Sequence, residues 1–251
     1  MTAEFEGPRT AIVTGAAKRI GAEIARALAA DGWTVLIHFR RSRDEAETLA
    51  AEIGGACVCA ELADPDAAAT IMGALDGMPP PRLLVNSASR FVHDSAGEYD
   101  VEGWDEHHAV NLRAPALLSQ AFAARVGAGG GAIVNLLDAK LSQPNPDFFS
   151  YTISKMGLAG LTELTARAYA ARGIRVCGIA PSVTMVSGPQ SRDNFERVHA
   201  LNPLRRGVSV DEIVGALRFI LATSTLTGEI ITLDGGQRFL SLARDVQFLE
   251  P

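Results

Sequence analysis

The chain has 251 residues, a length that one large α/β domain can fill, and its 47% hydrophobic and 21% charged content provides a sizeable core and excludes extended disorder. Basic residues number 23 against 29 acidic ones, with no lysine and arginine block of the kind that tracks a phosphate backbone, so no nucleic-acid partner is expected. No apolar run reaches the roughly 18 residues that suggest a membrane span. The N-terminal MTAEFEGP lacks the basic and apolar regions of a signal peptide, which makes a cytoplasmic location and no membrane association the expectation.

Short β-branched runs alternate with alanine-rich runs from end to end. The first strand is expected over Thr10 to Thr14, followed by the loop VTGAAKRIG (Val13 to Gly21) and a helix in which Ile24, Ala25 and Leu28 share one face before Gly32 stops it. A second strand over Trp33 to Phe39 runs into HFRRSR, His38 to Arg43, and a third is expected over Gly55 to Ala60. After the DGMPPP loop at Asp76 to Pro81 comes a fourth over Arg82 to Asn86, and after GAGGG a fifth over Gly131 to Leu137. A long helix is predicted from Ser150 to Arg172, with Leu158, Leu161, Thr165 and Ala168 near one stripe. Sixth and seventh strands follow at Ile174 to Ala180 and Glu229 to Leu233, separated by a polar stretch, about 183–205, that reads as a mobile lid. This alternation predicts a single Rossmann-type, doubly wound α/β domain over 9–251, a seven-stranded parallel sheet with helices on both faces, after a flexible tail at 1–8.

Cys57, Cys59 and Cys177 have no C-x-x-C spacing and read as small apolar strand residues, while the five histidines show no metal-binding pattern, so no metal is expected.

The loop VTGAAKRIG stands between a strand and a helix, the context in which a glycine turn offers helix N–H groups to a pyrophosphate. Gly15 would permit the tight turn and Gly21 the close packing of helix on sheet, with Lys18, Arg19 and Ile20 between them. Arg19 puts a bulky cation where a further glycine is expected. The second strand ends in His38, Arg40, Arg41 and Ser42, a set suited to a ribose 2′-phosphate and hence to NADP, where enzymes using NAD commonly have a carboxylate. Read alone, these segments are also compatible with an ordinary strand-to-helix turn and a solvated basic loop. Tyr151 and Lys155 lie one helical turn apart, so both project from one face, and an ammonium beside a phenol would lower the phenol's pKa.

With TGAAKRIG, these residues join NSAS (Asn86, Ser87, Ala88, Ser89), Asn111 in VNLRAP, APS (Ala180, Pro181, Ser182) and LDGG at Leu233 to Gly236 in an order that resembles the short-chain dehydrogenase/reductase family over residues 9 to 236. The resemblance implies an NADPH-dependent oxidoreductase in which Tyr151 donates a proton, Lys155 also holds the nicotinamide ribose and Asn111 keeps a water-linked relay in place. Asn86 and Ala88 would line the adenosine side, with Glu61 and Leu62 near adenine. Three positions depart from the family pattern: Glu61 for an aspartate, Ser182 for a glycine, and Asp138 where a serine usually donates to a substrate carbonyl. An ionised carboxylate can only accept a hydrogen bond, so the site is not built for an ordinary ketone; next to Tyr151 it would by itself raise the phenol pKa, so that Lys155 must offset it or Asp138 must be partly protonated.

Arg19, Asp138 and HFRRS together are similar to the pteridine reductase and dihydromonapterin reductase branch of the family. That resemblance implies a pterin or folate substrate contacted by Arg19, Ser89, Phe91, Asp138 and Tyr151, with Arg19 spanning cofactor and substrate and Phe91 stacking on the pterin. It further implies a homotetramer or homodimer packed through the helices near Ala114 to Ala124 and Ser150 to Ala170. The competing readings are a ketoreductase of the same fold and an NADP-binding sensor or scaffold without turnover.

Overall fold

The computed structural model describes residues 7–186 and 190–249. Seven strands, β1 (Thr10–Val13), β2 (Thr34–Phe39), β3 (Ala56–Cys59), β4 (Pro81–Asn86), β5 (Gly131–Leu136), β6 (Ile174–Pro181) and β7 (Ile230–Leu233), form one sheet. Its order is β3-β2-β1-β4-β5-β6-β7, and every adjacent pair is parallel. Parallel strands covered on both faces read as unbroken apolar runs, and β1, β5 and β6 are buried at every position. Successive side chains point to opposite faces: Ala11 and Val13 enter one core cluster and Ile12 the other.

The first cluster lies under α1 (Arg19–Ala30), α2 (Arg43–Ile53) and α8 (Val210–Ala222), the second under α3 (Ala67–Gly73), α5 (Ala114–Val126) and α6 (Phe149–Tyr169). This is the doubly wound, Rossmann-type single domain anticipated from the alternation. α4 (Val101–His108) continues into α5 through a π turn at Ala109–Arg113, a distortion that places buried Asn111 against the chain after β4. The stretch expected to be a lid contains a helix, α7 (Arg192–His199), capped by Ser191 and anchored by fully buried Val198; residues 187–189, including Gly188 and Pro189, lie outside the described residues, as do 1–6 of the expected tail. The cysteines follow the sheet unevenly: Cys177 is buried in β6, whereas Cys59 on edge strand β3 is exposed, so its apolar role is not realised. Among the described residues no helix is long and apolar enough to cross a membrane.

The chain leaves β1 toward β2 on one side and lies beside β4 on the other, so a crevice opens at the carboxyl ends of these strands. Thr14 ties its two rims. Its amide donates to the Val85 carbonyl at 3.0 Å, and its hydroxyl accepts from both the Ser87 and Ala88 amides at 3.0 Å. Thr14→Val keeps the shape of the side chain and leaves the Ala88 amide without an acceptor, the Ser87 amide keeping the Val85 carbonyl at 3.1 Å, which should cost about 1 to 3 kcal/mol. Urea unfolding measures this loss, and unchanged stability would remove Thr14 from its bracing role.

Candidate active site

A cavity of about 720 Å³ follows the carboxyl ends of β1, β2, β4, β5 and β6. At one end the glycine loop packs too tightly for side chains: a Cβ on Gly15, which has φ +64°, would come 2.8 Å from the Ala88 Cα, and one on Gly21 would come 2.6 Å from the Gly15 carbonyl oxygen. Arg19 is also left-handed, at φ +60°, although it is not glycine. A non-glycine residue in that region costs on the order of 1 kcal/mol. Its guanidinium crosses the cavity and donates to the Val186 carbonyl after β6.

His38 has a different job from the phosphate contact expected of it. The Gly15 amide donates to its Nδ1 at 3.1 Å, so the neutral ring carries its proton on Nε2 and donates to the Ala60 carbonyl at 3.1 Å. Burial holds its pKa below the ordinary histidine value, which preserves this tautomer. The ring thereby pins the glycine loop to the end of β3 while one edge faces the cavity.

Of the three arginines of the basic segment only Arg40 reaches the cavity wall. Arg41 is exposed and off the wall, and Ser42 is the residue before α2, so neither is placed as expected. Arg40 is paired with Glu61 through Nε, and Lys18 with Glu45 at 2.6 Å. Glu61 therefore acts first on a cation of the same rim. Leu62, Ile20, Ser87, Ala88, Ser89, Pro181 and Ser182 also line the cavity. The backbone at Ser182 is not left-handed and its amide donates to Leu233 at 2.8 Å, which explains how a serine fits where the family pattern has glycine.

Two expected site residues lie off the cavity wall and are held by neighbouring segments. Asn86 is buried in β4 and donates to Asn135 at 2.8 Å, which donates in turn to Thr162 at 2.9 Å, a polar chain joining β4, β5 and α6 away from the cavity. Asn111 is fully buried: its Oδ1 accepts from the Arg90 amide at 2.7 Å, and its Nδ2 donates to the Arg90 carbonyl and to Ser154 Oγ, both at 2.9 Å. Its side chain fixes the segment carrying Ser89 and Phe91 and leans on α6. The sequence rightly marks both residues as special, but spacing does not tell a brace from a contact.

At the other end, β5 delivers Asp138 and α6 delivers Tyr151 and Lys155. The Tyr151 hydroxyl donates to Asp138 Oδ2 at 2.8 Å, and Asp138 Oδ1 accepts from the Lys140 amide at 2.8 Å. Lys155 Nζ donates to the Leu136 carbonyl at 2.6 Å and lies 5.8 Å from the Tyr151 ring centroid. Of the two opposing influences expected on the phenol, the raising by the Asp138 carboxylate prevails over the lowering by this ammonium. Burial and then the Asp138 charge push Tyr151 well above the ordinary phenol range, burial pushes Asp138 up, and burial lowers Lys155 to about 8. The carboxylate touches the hydroxyl, and the ammonium does not.

Phe91 lines the cavity with one face stacked on Phe148 at 4.2 Å and with Tyr151 edge-on at 4.7 Å. Phe248 stacks on Phe148 at 5.7 Å, so the wall is a three-ring stack in which one face of Phe91 is already taken. Phe148, Lys140 and the C-terminal residues Asp245 to Gln247 were not legible as site residues. Phe148 stands beside the Y-x-x-x-K helix and could have been suspected from position; the C-terminal segment carries no local signal.

The residues fit a dinucleotide: a tight glycine loop, cations Lys18, Arg19 and Arg40 toward one end, and Lys155 with Tyr151 at the other. Residues 15–238 match the family described as enoyl-(acyl carrier protein) reductase. The chain is 31% identical to pteridine reductase 1 of Leishmania tarentolae, covering 90% of this chain and 95% of that one, and 34% identical to D-threitol dehydrogenase of Mycolicibacterium smegmatis, covering 91% and 92%. Among solved structures it is similar to FolM alternative dihydrofolate reductase 1 of Brucella suis in complex with NADP, at TM-score 0.88 and 39% identity over 92% of this chain and 95% of that one. With the parallel sheet, the glycine loop and the Tyr151–Lys155 pair in place, the chain belongs to the short-chain dehydrogenase/reductase family of oxidoreductases.

Proposed function

We propose that this protein is an NADPH-dependent reductase that converts a dihydropterin or dihydrofolate to its tetrahydro form. The observation that carries the reading is the Tyr151–Asp138 hydrogen bond: a carboxyl group stands where a ketone reductase presents a serine hydroxyl. The similarity to FolM alternative dihydrofolate reductase 1 and to pteridine reductase 1 supports the same substrate class. When bound, the nicotinamide supplies a hydride to a C=N carbon. Lys18 and Arg19 would meet the pyrophosphate, Arg40 the 2′-phosphate and Lys155 the nicotinamide ribose.

The protein's part is to deliver a proton to the adjacent nitrogen. If Tyr151 gave up its proton beside an ionised Asp138, two negatively charged oxygens would face each other with no proton between them. The raised Asp138 pKa offers another course: protonated Asp138 donates to the Tyr151 oxygen as Tyr151 donates to the substrate, leaving a neutral phenol and a carboxylate. Lys155, as an ammonium, stabilises the negative charge passing through this pair. Turnover by this route falls as pH rises through the Asp138 pKa, because the stored proton is lost there, and falls again near 8 as Lys155 discharges.

A ketone- or polyol-directed reading draws on the similarity to D-threitol dehydrogenase. Asp138→Ser separates the two. It should cost about 1 to 3 kcal/mol in kcat/KM for dihydropterins, abolish the lower pH limb, and improve simple ketones. NADPH oxidation followed with both substrate types checks this; a wild type that ignores every dihydropterin and reduces ketones well overturns the proposal. At the cofactor end, Arg40→Ala should weaken NADPH by about 1.5 to 3 kcal/mol and leave NADH little changed, whereas Arg41→Ala should do neither. Equal effects of the two substitutions in a binding titration would contradict the placement of the 2′-phosphate.

A further inference from the structure

The last described residues fold back over the catalytic end. Val246 and Gln247 line the cavity, and Asp245 is buried at its wall. Lys140, two residues after Asp138, donates through Nζ to the Asp147 carbonyl at 2.5 Å and to Asp245 Oδ2 at 3.3 Å. Asp147 accepts from Arg244 Nε at 2.8 Å and from the Asp245 amide at 2.7 Å, while Asp245 Oδ1 accepts from the Gln247 amide at 3.1 Å. On its outer side the segment is held by α7: Asn194 donates to the Gln247 carbonyl at 3.2 Å and Arg197 to the Leu249 carbonyl at 2.9 Å. Phe248 completes the ring stack. The C-terminal segment therefore joins α7, the loop after β5 and the loop before α6, and its contacts end one residue pair from the reacting groups.

We propose that Asp245 is a positioning residue of the catalytic centre, holding through Lys140 and Asp147 the loop that presents Asp138 to Tyr151. Lys140 bonds the C-terminal segment by its side chain and Asp138 by its backbone amide, so a shift of Asp245 moves the carboxyl group that touches the phenol. The charged groups facing that pair are Lys155 on α6, Lys140 on the loop after β5, Asp245 on the C-terminal segment, Asp147 with Arg244 behind Lys140, and Arg19 across the cavity. Among them Asp245 raises both Asp138 and Tyr151, as a smaller influence than burial and than the hydrogen bonds of each group and, for Tyr151, than the Asp138 charge. Its charge thus favours the protonated pair, as its hydrogen bonds favour the geometry.

The kinetic part of this inference rests on the proton route proposed above, and the test includes a readout that does not. Asp245→Asn keeps the size of the side chain and removes the charge. In the folded variant, confirmed by circular dichroism, the ionisation of the Tyr151 phenol, isolated by ultraviolet difference against the same protein carrying Tyr151→Phe, should move to lower pH by on the order of half a unit. The corresponding fall in kcat at neutral pH is roughly threefold, with little change in KM, and Asp245→Glu should restore much of it. Should Asp245→Asn fail to fold, Asn194→Ala, which frees the segment from α7, takes its place with the same direction expected. An unchanged phenol titration with unchanged kcat, or a rise in KM alone, overturns the inference. A shifted titration in a protein that turns over no dihydropterin upholds it while overturning the proposed substrate.

Discussion

A buried phenol and a half-buried carboxyl group 2.8 Å apart on a cavity wall cannot both carry negative charge without a cost, because each charge opposes the other and the phenol has lost most of its contact with water. The Tyr151–Asp138 contact therefore retains a proton, and the surrounding structure determines where that proton goes. Lys155 is held off the hydroxyl by the Leu136 carbonyl, so it acts on the pair as a nearby charge and not as a partner. Burial moves the three groups toward their neutral forms, up for Tyr151 and Asp138 and down to about 8 for Lys155.

The sheet makes the contact possible. β5 ends at Leu136, and the two residues beyond it bring Asp138 opposite the first turns of α6, where Tyr151 and Lys155 project from one face. The same strand ends hold the glycine loop, whose close approach to Ala88 is fixed by Thr14 and whose far side is pinned by the His38 ring. Arg19 is the position where local preference yields: its left-handed backbone is unfavourable for an arginine, and in return the side chain reaches over the cavity to the chain after β6.

The seven strands were legible because parallel strands buried on both faces leave continuous apolar runs bounded by glycine and proline. The positions of Gly15, Gly21, Tyr151 and Lys155 were legible for a related reason: each depends on local spacing that a strand or helix converts directly into geometry, whereas Asp138 was legible only through the family resemblance. Arg41, Ser42, Asn86 and Asn111 show the limit. A motif marks a position as constrained, but Asn86 is constrained by Asn135 and Asn111 by Arg90, partners 49 and 21 residues away that no local pattern reveals. The contribution of Asp245 was equally hidden, since it depends on Lys140, 105 residues earlier in the chain. Which of the two expected influences on the phenol prevails was not legible: helical spacing places Lys155 beside the ring, whereas the hydroxyl at its tip is met by Asp138.

The central claim, that Tyr151 holds its proton because it is buried against a carboxyl group, is tested most directly by ultraviolet titration of the wild-type protein minus its Tyr151→Phe variant. The subtraction removes Tyr99 and Tyr169, the other two tyrosines of the chain. No tyrosinate signal from Tyr151 should emerge until the pH passes the ordinary phenol value of about 10. A Tyr151 signal rising near neutral pH would contradict the account and return the dominant influence to Lys155.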